Sequence, residues 1–196
     1  MEKINQLLEQ LNLEANLPLE EIPNIDLYMD QVIQLFENKF AGAKRNEEEK
    51  ILTKTMINNY AKGKLIFPIE NKKYSRDHLI LISLIYQLKG SLSISDIKTT
   101  LDGINKRIIK EDIDLDSFYT SYLNLTGRNT ADFKADLDRM AGEVQAEITN
   151  GQEDKSAYLE QVLMISSLVH MSNLYRKAAE KLVDQLPVQK EGKRQK

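Results

Sequence analysis

KILTKTMINNYAKGKLIFPIENKKYSRDHL, residues 50–79, is the stretch that decides the fold. Its hydrophobic period changes twice. Ile51, Leu52, Met56, Ile57 and Tyr60 share one side of a helix predicted over Glu48–Lys62, while Lys50, Lys54, Asn58 and Lys62 recur every three or four residues on another. From Lys64 the pattern changes to β-formers on both sides of Glu70-Asn71. Pro68 lacks an N–H for a ladder and fits only an edge or a bend, so a short β-hairpin, a wing, is predicted. Ser75 then caps a helix carrying Leu79, Ile82, Leu84, Ile85 and Leu88, with Asp77 well placed in its first turn.

The flanks read as further helices. Ile4, Leu7, Leu8 and Leu11 predict a short helix over 2–13, and Asn16–Pro23, with two prolines, is a connector. A helix over Asp26–Phe40 carries Met29, Val32, Ile33, Phe36 and Phe40 on one face, and Ala41–Glu47 is a loop. Beyond Gly90, Ser93 or Ser95 caps a short helix with Ile97 and Leu101, which Gly103 closes. Helices are expected over 115–125, 130–149 and 154–186. The last has an apolar surface wider than a stripe, which suits a central core helix, a dimer helix, or both. The predicted fold is thus mainly α. Residues 1–23 form a helix and connector, 24–103 a helical unit with a short β-hairpin wing, and 104–188 an all-α region. Residues 189–196 form a disordered basic tail.

Composition narrows the function. Among 196 residues 41% are hydrophobic and 29% charged, with 8 glycines and 4 prolines to interrupt helices. The absence of cysteine excludes disulfides, thiolate zinc sites and cysteine nucleophiles, and fits a reducing compartment. The longest apolar run, Val162–Met171, is broken by Ser166, Ser167 and His170 and is too short for a bilayer. No apolar stretch near Met1 leads to a cleavage site, so a cytoplasmic protein without a membrane partner is expected. The net charge of −3 hides an asymmetry: between Lys50 and Arg76 seven basic residues face one acid, Glu70. An island of +6 in a chain otherwise at −9 can bind a polyanion locally.

Little points to catalysis. The two histidines, His78 and His170, stand in the first turn of one helix and inside an apolar one, where structural roles are the rule. No Gly-rich phosphate loop, Gly-x-Ser-x-Gly turn or His-Glu-x-x-His pair occurs, and the acidic runs Glu47–Glu49 and Glu111–Asp116 lack the spacing of a calcium loop. The expectation is no enzyme, no catalytic residue, no cofactor and no metal. Phe133, Met140, Met164, Met171, Tyr175 and neighbouring aromatics of the C-terminal half suit core packing first and a ligand pocket second.

The blocks Met56–Tyr60, Leu65–Pro68, Tyr74–Leu79 and Leu92–Ile97 resemble the DNA-binding half of MerR-type transcription regulators, whose text runs Thr-Leu-Arg-Tyr-Tyr, Gly-Leu-Leu-x-Pro, Tyr-Ser-x-x-Asp-Leu and Gly-Phe-Ser-Leu-x-Glu-Ile. Arginine and tyrosine commonly stand there at the positions of Asn58 and Asn59, and glycine at that of Lys64. Over Leu17–Ile97 the chain is also similar to a bacterial family known as domain of unknown function 1836, which implies a bacterial cytoplasmic protein and supplies no activity. The residues carrying that likeness are Asn24–Val32, Leu52–Tyr60 and Lys73–Leu79.

The resemblance to MerR-type proteins implies that residues 24–103 are a winged helix-turn-helix, that 104–188 form a dimerisation or sensor region, and that double-stranded DNA is the partner. Lys54, Asn58 and Lys62 would face a major groove ~12 Å wide, with Asn58 and Asn59 as base readers. Lys50, Thr55, Lys64, Lys72, Lys73 and Arg76 complete the expected DNA-binding set, together with Tyr74, packed on the next helix with its hydroxyl near the nucleic acid. The function expected is a sequence-specific transcription regulator acting as a homodimer, with an effector, if any, unidentified. The alternative is a non-enzymatic adaptor that reuses the winged-helix fold to bind a protein.

Overall fold

The computed structural model describes residues 2–13, 15–151 and 157–187. It is mainly helical, with one two-stranded antiparallel sheet among the described residues. In chain order the elements are α1 (Glu2–Gln10), β1 (Leu27–Tyr28), α2 (Met29–Phe40), α3 (Lys54–Lys62), β2 (Lys73–Tyr74), α4 (Arg76–Leu88), α5 (Ile94–Ile109), α6 (Leu115–Gly151) and α7 (Ala157–Gln185). No described helix is long and apolar enough to cross a membrane. The tail over 189–196 lies outside the described residues.

The core is organised around α4. Eight successive residues, His78 to Ile85, are buried, so this helix is covered on every side rather than along a stripe. Around it pack Val32, Phe36 and Phe40 of α2, Ile57 and Tyr60 of α3, Ile97 and Leu101 of α5, and Leu115 and Tyr119 at the start of α6. Ser83 in the middle of α4 is kept satisfied. The Tyr119 hydroxyl donates to the Leu17 carbonyl (2.8 Å), leaving its oxygen to accept from the Ser83 hydroxyl (2.8 Å). Burial pushes the Tyr119 phenol up to about 12, with the Ser83 bond acting against it. One polar chain thereby ties α4, α6 and the N-terminal connector together.

Several boundaries differ from the sequence reading, each for a local reason. Thr53, not Glu48, starts α3: its Oγ1 accepts the Met56 N–H (3.1 Å), and Ile51 and Leu52 are buried ahead of the helix instead of on its face. The link from α2 to α3, residues 41–53, is consequently far longer than the turn of ~3–4 residues in a simple helix-turn-helix. The expected hairpin is reduced to a tip. Leu65 and Ile66 go into the core, leaving only an isolated bridge, Glu70 to Lys73, across the turn. The strand that pairs with Lys73–Tyr74 is β1, with Leu27 opposite Tyr74 and Tyr28 opposite Lys73.

Gly103 does not end α5, which runs six residues further to Ile109. The predicted break at 126–129 is also absent, since α6 is continuous for 37 residues. An isolated glycine costs a helix only ~1 kcal/mol, and exposed Gly127 meets nothing that would bend it. The last helix is not a core helix: α7 packs on α6 and touches α5, yet none of its described residues is buried.

Candidate nucleic-acid interface

Ile57 and Tyr60 anchor α3 to the core, which turns the opposite side of the helix outward. Lys54, Thr55, Asn58, Asn59 and Lys62 are all exposed and follow the four-residue spacing of one helical face. Lys54 is engaged within the chain, its Nζ 2.8 Å from Asp30 Oδ1. Both partners are largely solvated, so the pair contributes at most ~1 kcal/mol and yields readily to a stronger anion.

The segment after α3 has a defined shape. The Leu65 N–H donates to the Tyr60 carbonyl (2.9 Å) and the Lys64 N–H to the Ala61 carbonyl (3.1 Å), which is the Schellman closure of a helix. That closure puts Lys64 at φ 58°, the left-handed region. Glycine is the usual residue at such a closure, and lysine here carries the backbone cost.

Further on, Asn71 (φ 48°) and Lys72 (φ 60°) form a two-residue turn closed by the Lys73 N–H donating to the Glu70 carbonyl (2.9 Å). This is a type I′ arrangement, with both central residues left-handed. Lys72 is exposed at its tip, whereas Lys73 is half-buried with its Nζ 5.5 Å from the centre of the Tyr28 ring. Lys54 reaches Asp30 and Lys73 reaches Tyr28, two residues apart at the β1–α2 junction, so the start of α3 and the turn converge there. Tyr28 and Asp30 thus belong to this surface. Sequence inspection missed them because nothing in Leu27–Asp30 marks a strand that pairs across the chain.

His78 fixes the turn to α4. Its Nδ1 accepts the Ser75 backbone N–H (3.1 Å), which requires the proton on Nε2, and Nε2 lies 3.3 Å from the Phe67 carbonyl as donor. The imidazole stacks on the Phe67 ring with centroids 3.7 Å apart, and burial holds its pKa below the usual histidine value. On the other flank, Lys89 donates to the Ile51 carbonyl (3.0 Å) and lies over the Tyr86 ring, clamping the approach to α3.

The eleven predicted residues do not all share one surface. Lys54, Thr55, Asn58, Asn59 and Lys62 stand together on α3, with Lys64 just beyond it and Lys72 and Lys73 on the turn; Lys50 is exposed in the segment before Thr53. Two are held by contacts within the chain. Tyr74 is only 3% exposed, its ring packed edge-on to His78 of α4. Arg76 is occupied internally: its Nε contacts both oxygens of Asp116 (3.2 Å each), and one terminal nitrogen donates to the Ile22 carbonyl and Asn24 Oδ1 (3.1 Å each). Arg76 therefore joins α4, α6 and the connector. The exposed cations of the basic island are lysines, Lys50, Lys54, Lys62, Lys64 and Lys72.

The sequence model of the family described as domain of unknown function (DUF1836) matches residues 17–122, more than half of the chain. Those limits nearly coincide with the main core, which runs from Leu17 to Tyr119, and they leave out most of α6 and all of α7. No curated protein matches the chain. No solved structure matches it either.

Proposed function

We propose that the chain, which belongs to the DUF1836 family, binds double-stranded DNA through a MerR-like winged helix-turn-helix and acts as a homodimeric transcription regulator. The observation that carries this is the convergence of α3's polar face and the lysine-tipped turn on Tyr28 and Asp30. At 1.5 Å per residue the nine residues of α3 are about 13 Å long, a fit to the width of a major groove. Asn58 and Asn59 would present amides for the two edge atoms of adenine, and Lys54, Lys62 and Lys72 would neutralise phosphates on either side. DNA would displace Asp30 from Lys54 at small cost, since that pair is already solvated.

A selection of bound genomic fragments followed by footprinting tests the proposal. Expected is protection of a pseudo-palindromic site, with affinity falling steeply as salt rises because several lysines release counterions. The double variant Lys54→Ala/Asn58→Ala should lose the footprint while keeping its helical circular dichroism. Continued protection of the same site by that variant would show that α3 is not the reading helix. Binding partners that survive high salt and ignore nucleic acid would favour an adaptor instead.

A further inference from the structure

The long pair of C-terminal helices leaves an apolar face uncovered. Tyr158, Val162, Ile165 and Val169 follow one another at intervals of four, three and four residues, the spacing of a heptad seam. They are 71%, 39%, 54% and 53% exposed, although α6 lies along another side of the same helix. Ser172 and Arg176 continue the spacing. Both also edge a groove of about 940 Å³ between α6 and α7, whose apolar walls include Phe133, Met140, Leu168, Met171 and Tyr175. Stripe and groove are one continuous surface.

We infer that this surface is occupied by the same surface of a second copy of the chain, the two α6–α7 pairs closing into a four-helix bundle. The inference rests on the dimeric part of the reading above. Area supports it. With residue surfaces of about 150–250 Å², the four stripe residues leave roughly 400 Å² uncovered, half of the ~800 Å² per partner in a standard interface. The groove walls supply more. Charge supports it as well: the groove rim holds Asp132 and Asp136 together with Arg139 and Arg176. A rim with two charges of each sign can complement its own copy under two-fold rotation, whereas a strongly charged partner would meet as much repulsion as attraction. In the single chain the far half of α6 buries, among the described residues, Leu137, Met140, Val144 and Ile148, a thin core for so long a pair.

Sedimentation equilibrium of the full chain, without DNA, tests the inference at about 1–100 μM. The expected mass is that of a dimer. Ile165→Glu/Val169→Glu should be monomeric with unchanged helical circular dichroism, because both side chains are already exposed. Leu174→Glu, 47% exposed on the other side of α7, should remain dimeric. Ile165→Ala keeps a strong helix former and should weaken the dimer about tenfold. A monomeric wild type at 100 μM overturns the inference, as does a double variant that stays dimeric or a Leu174→Glu chain that alone dissociates. With no DNA present, failure here leaves the DNA-binding proposal untouched, and a failed footprint leaves this one untouched.

Discussion

Replacing Lys72 by glycine should move stability and DNA affinity in opposite directions. Lys72 holds φ 60° at the second central position of a type I′ turn whose first is Asn71. A left-handed backbone costs a side-chain-bearing residue about 1–2 kcal/mol relative to its preferred conformations. Glycine escapes that cost but adds about 0.4–1 kcal/mol of entropy to the unfolded chain. The difference leaves Lys72→Gly about 0.5–1 kcal/mol more stable, with the Asn-Gly pair that such turns favour. For a protein of this size, that corresponds to a rise in melting temperature of about 1–4 °C. The same change removes a charge from the tip of the turn. If Lys72 contacts a phosphate, the slope of log K against log salt becomes shallower by about 0.9, and affinity falls several-fold at low salt with no change in preferred sequence. Calorimetry and a salt titration of DNA binding provide both readings. Lys72→Ala is the control, losing the charge while keeping the backbone conformation, so it should reproduce the shallower slope without the gain in melting temperature. A Lys72→Gly chain that binds DNA with the wild-type salt slope would refute the placement of the wing on phosphate. One that melts lower would refute the energetic account of the turn.

Three further outcomes follow from the internal polar contacts. Burial lowers the His78 pKa, so below about pH 6.5 the unfolded chain takes up a proton that the folded chain declines. This contribution to stability is complete above that pH and shrinks as the pH falls; urea denaturation at pH 7.5 and 6.0 should show the loss, and His78→Gln should remove most of the difference. Tyr119→Phe strands the Leu17 carbonyl and the Ser83 hydroxyl in the core, which should cost about 1–3 kcal/mol of unfolding free energy by chemical denaturation. Arg76→Ala should cost about 1 kcal/mol, since its partner Asp116 is half exposed, and leave the salt slope of DNA binding unchanged; a shallower slope would return Arg76 to the interface.

The sequence was most legible where a pattern is local. Ser75 caps α4 as its position predicts, and the 3.6-residue spacing of Val32, Phe36 and Phe40 is the buried face of α2. It was least legible where a residue's fate depends on distant chain. Leu65, Ile66 and Phe67 have the composition of a strand, but the Schellman closure at Lys64 directs Leu65 and Ile66 inward, and the ladder goes to Leu27–Tyr28. Tertiary packing decided that pairing, as it commonly does for short β-formers. Gly103 looked like a helix end because glycine punctuates sequences, and Gly127 falls in the gap expected at 126–129. Both remain helical, and nothing near either one requires the chain to turn.

The site shows the same division. Alternation on α3 was enough to place Lys54, Asn58 and Lys62 on one exposed face, whereas only coordinates could reveal that Arg76 spends its charge on Asp116. Left-handed lysines at positions 64 and 72 invite a functional explanation, a basic residue retained where glycine would be cheaper. Glu111 argues against accepting it on conformation alone. That residue ends α5 through the same Schellman closure, with Glu111 and Asp112 N–H groups on the Ile108 and Arg107 carbonyls (3.0 Å each), and it bears the wrong charge for DNA. A chain with only 8 glycines closes helices with whatever residue stands there, so strain at Lys64 is a habit of this sequence. Lys72 differs because it ends no helix. Its turn joins β2 to the segment leaving α3, its side chain is exposed, and its neighbour Lys73 reaches Tyr28 beside the Asp30 that holds Lys54. The charge of Lys72, more than its backbone, is what connects the turn to the face of α3, and exchanging lysine for alanine or glycine separates the two.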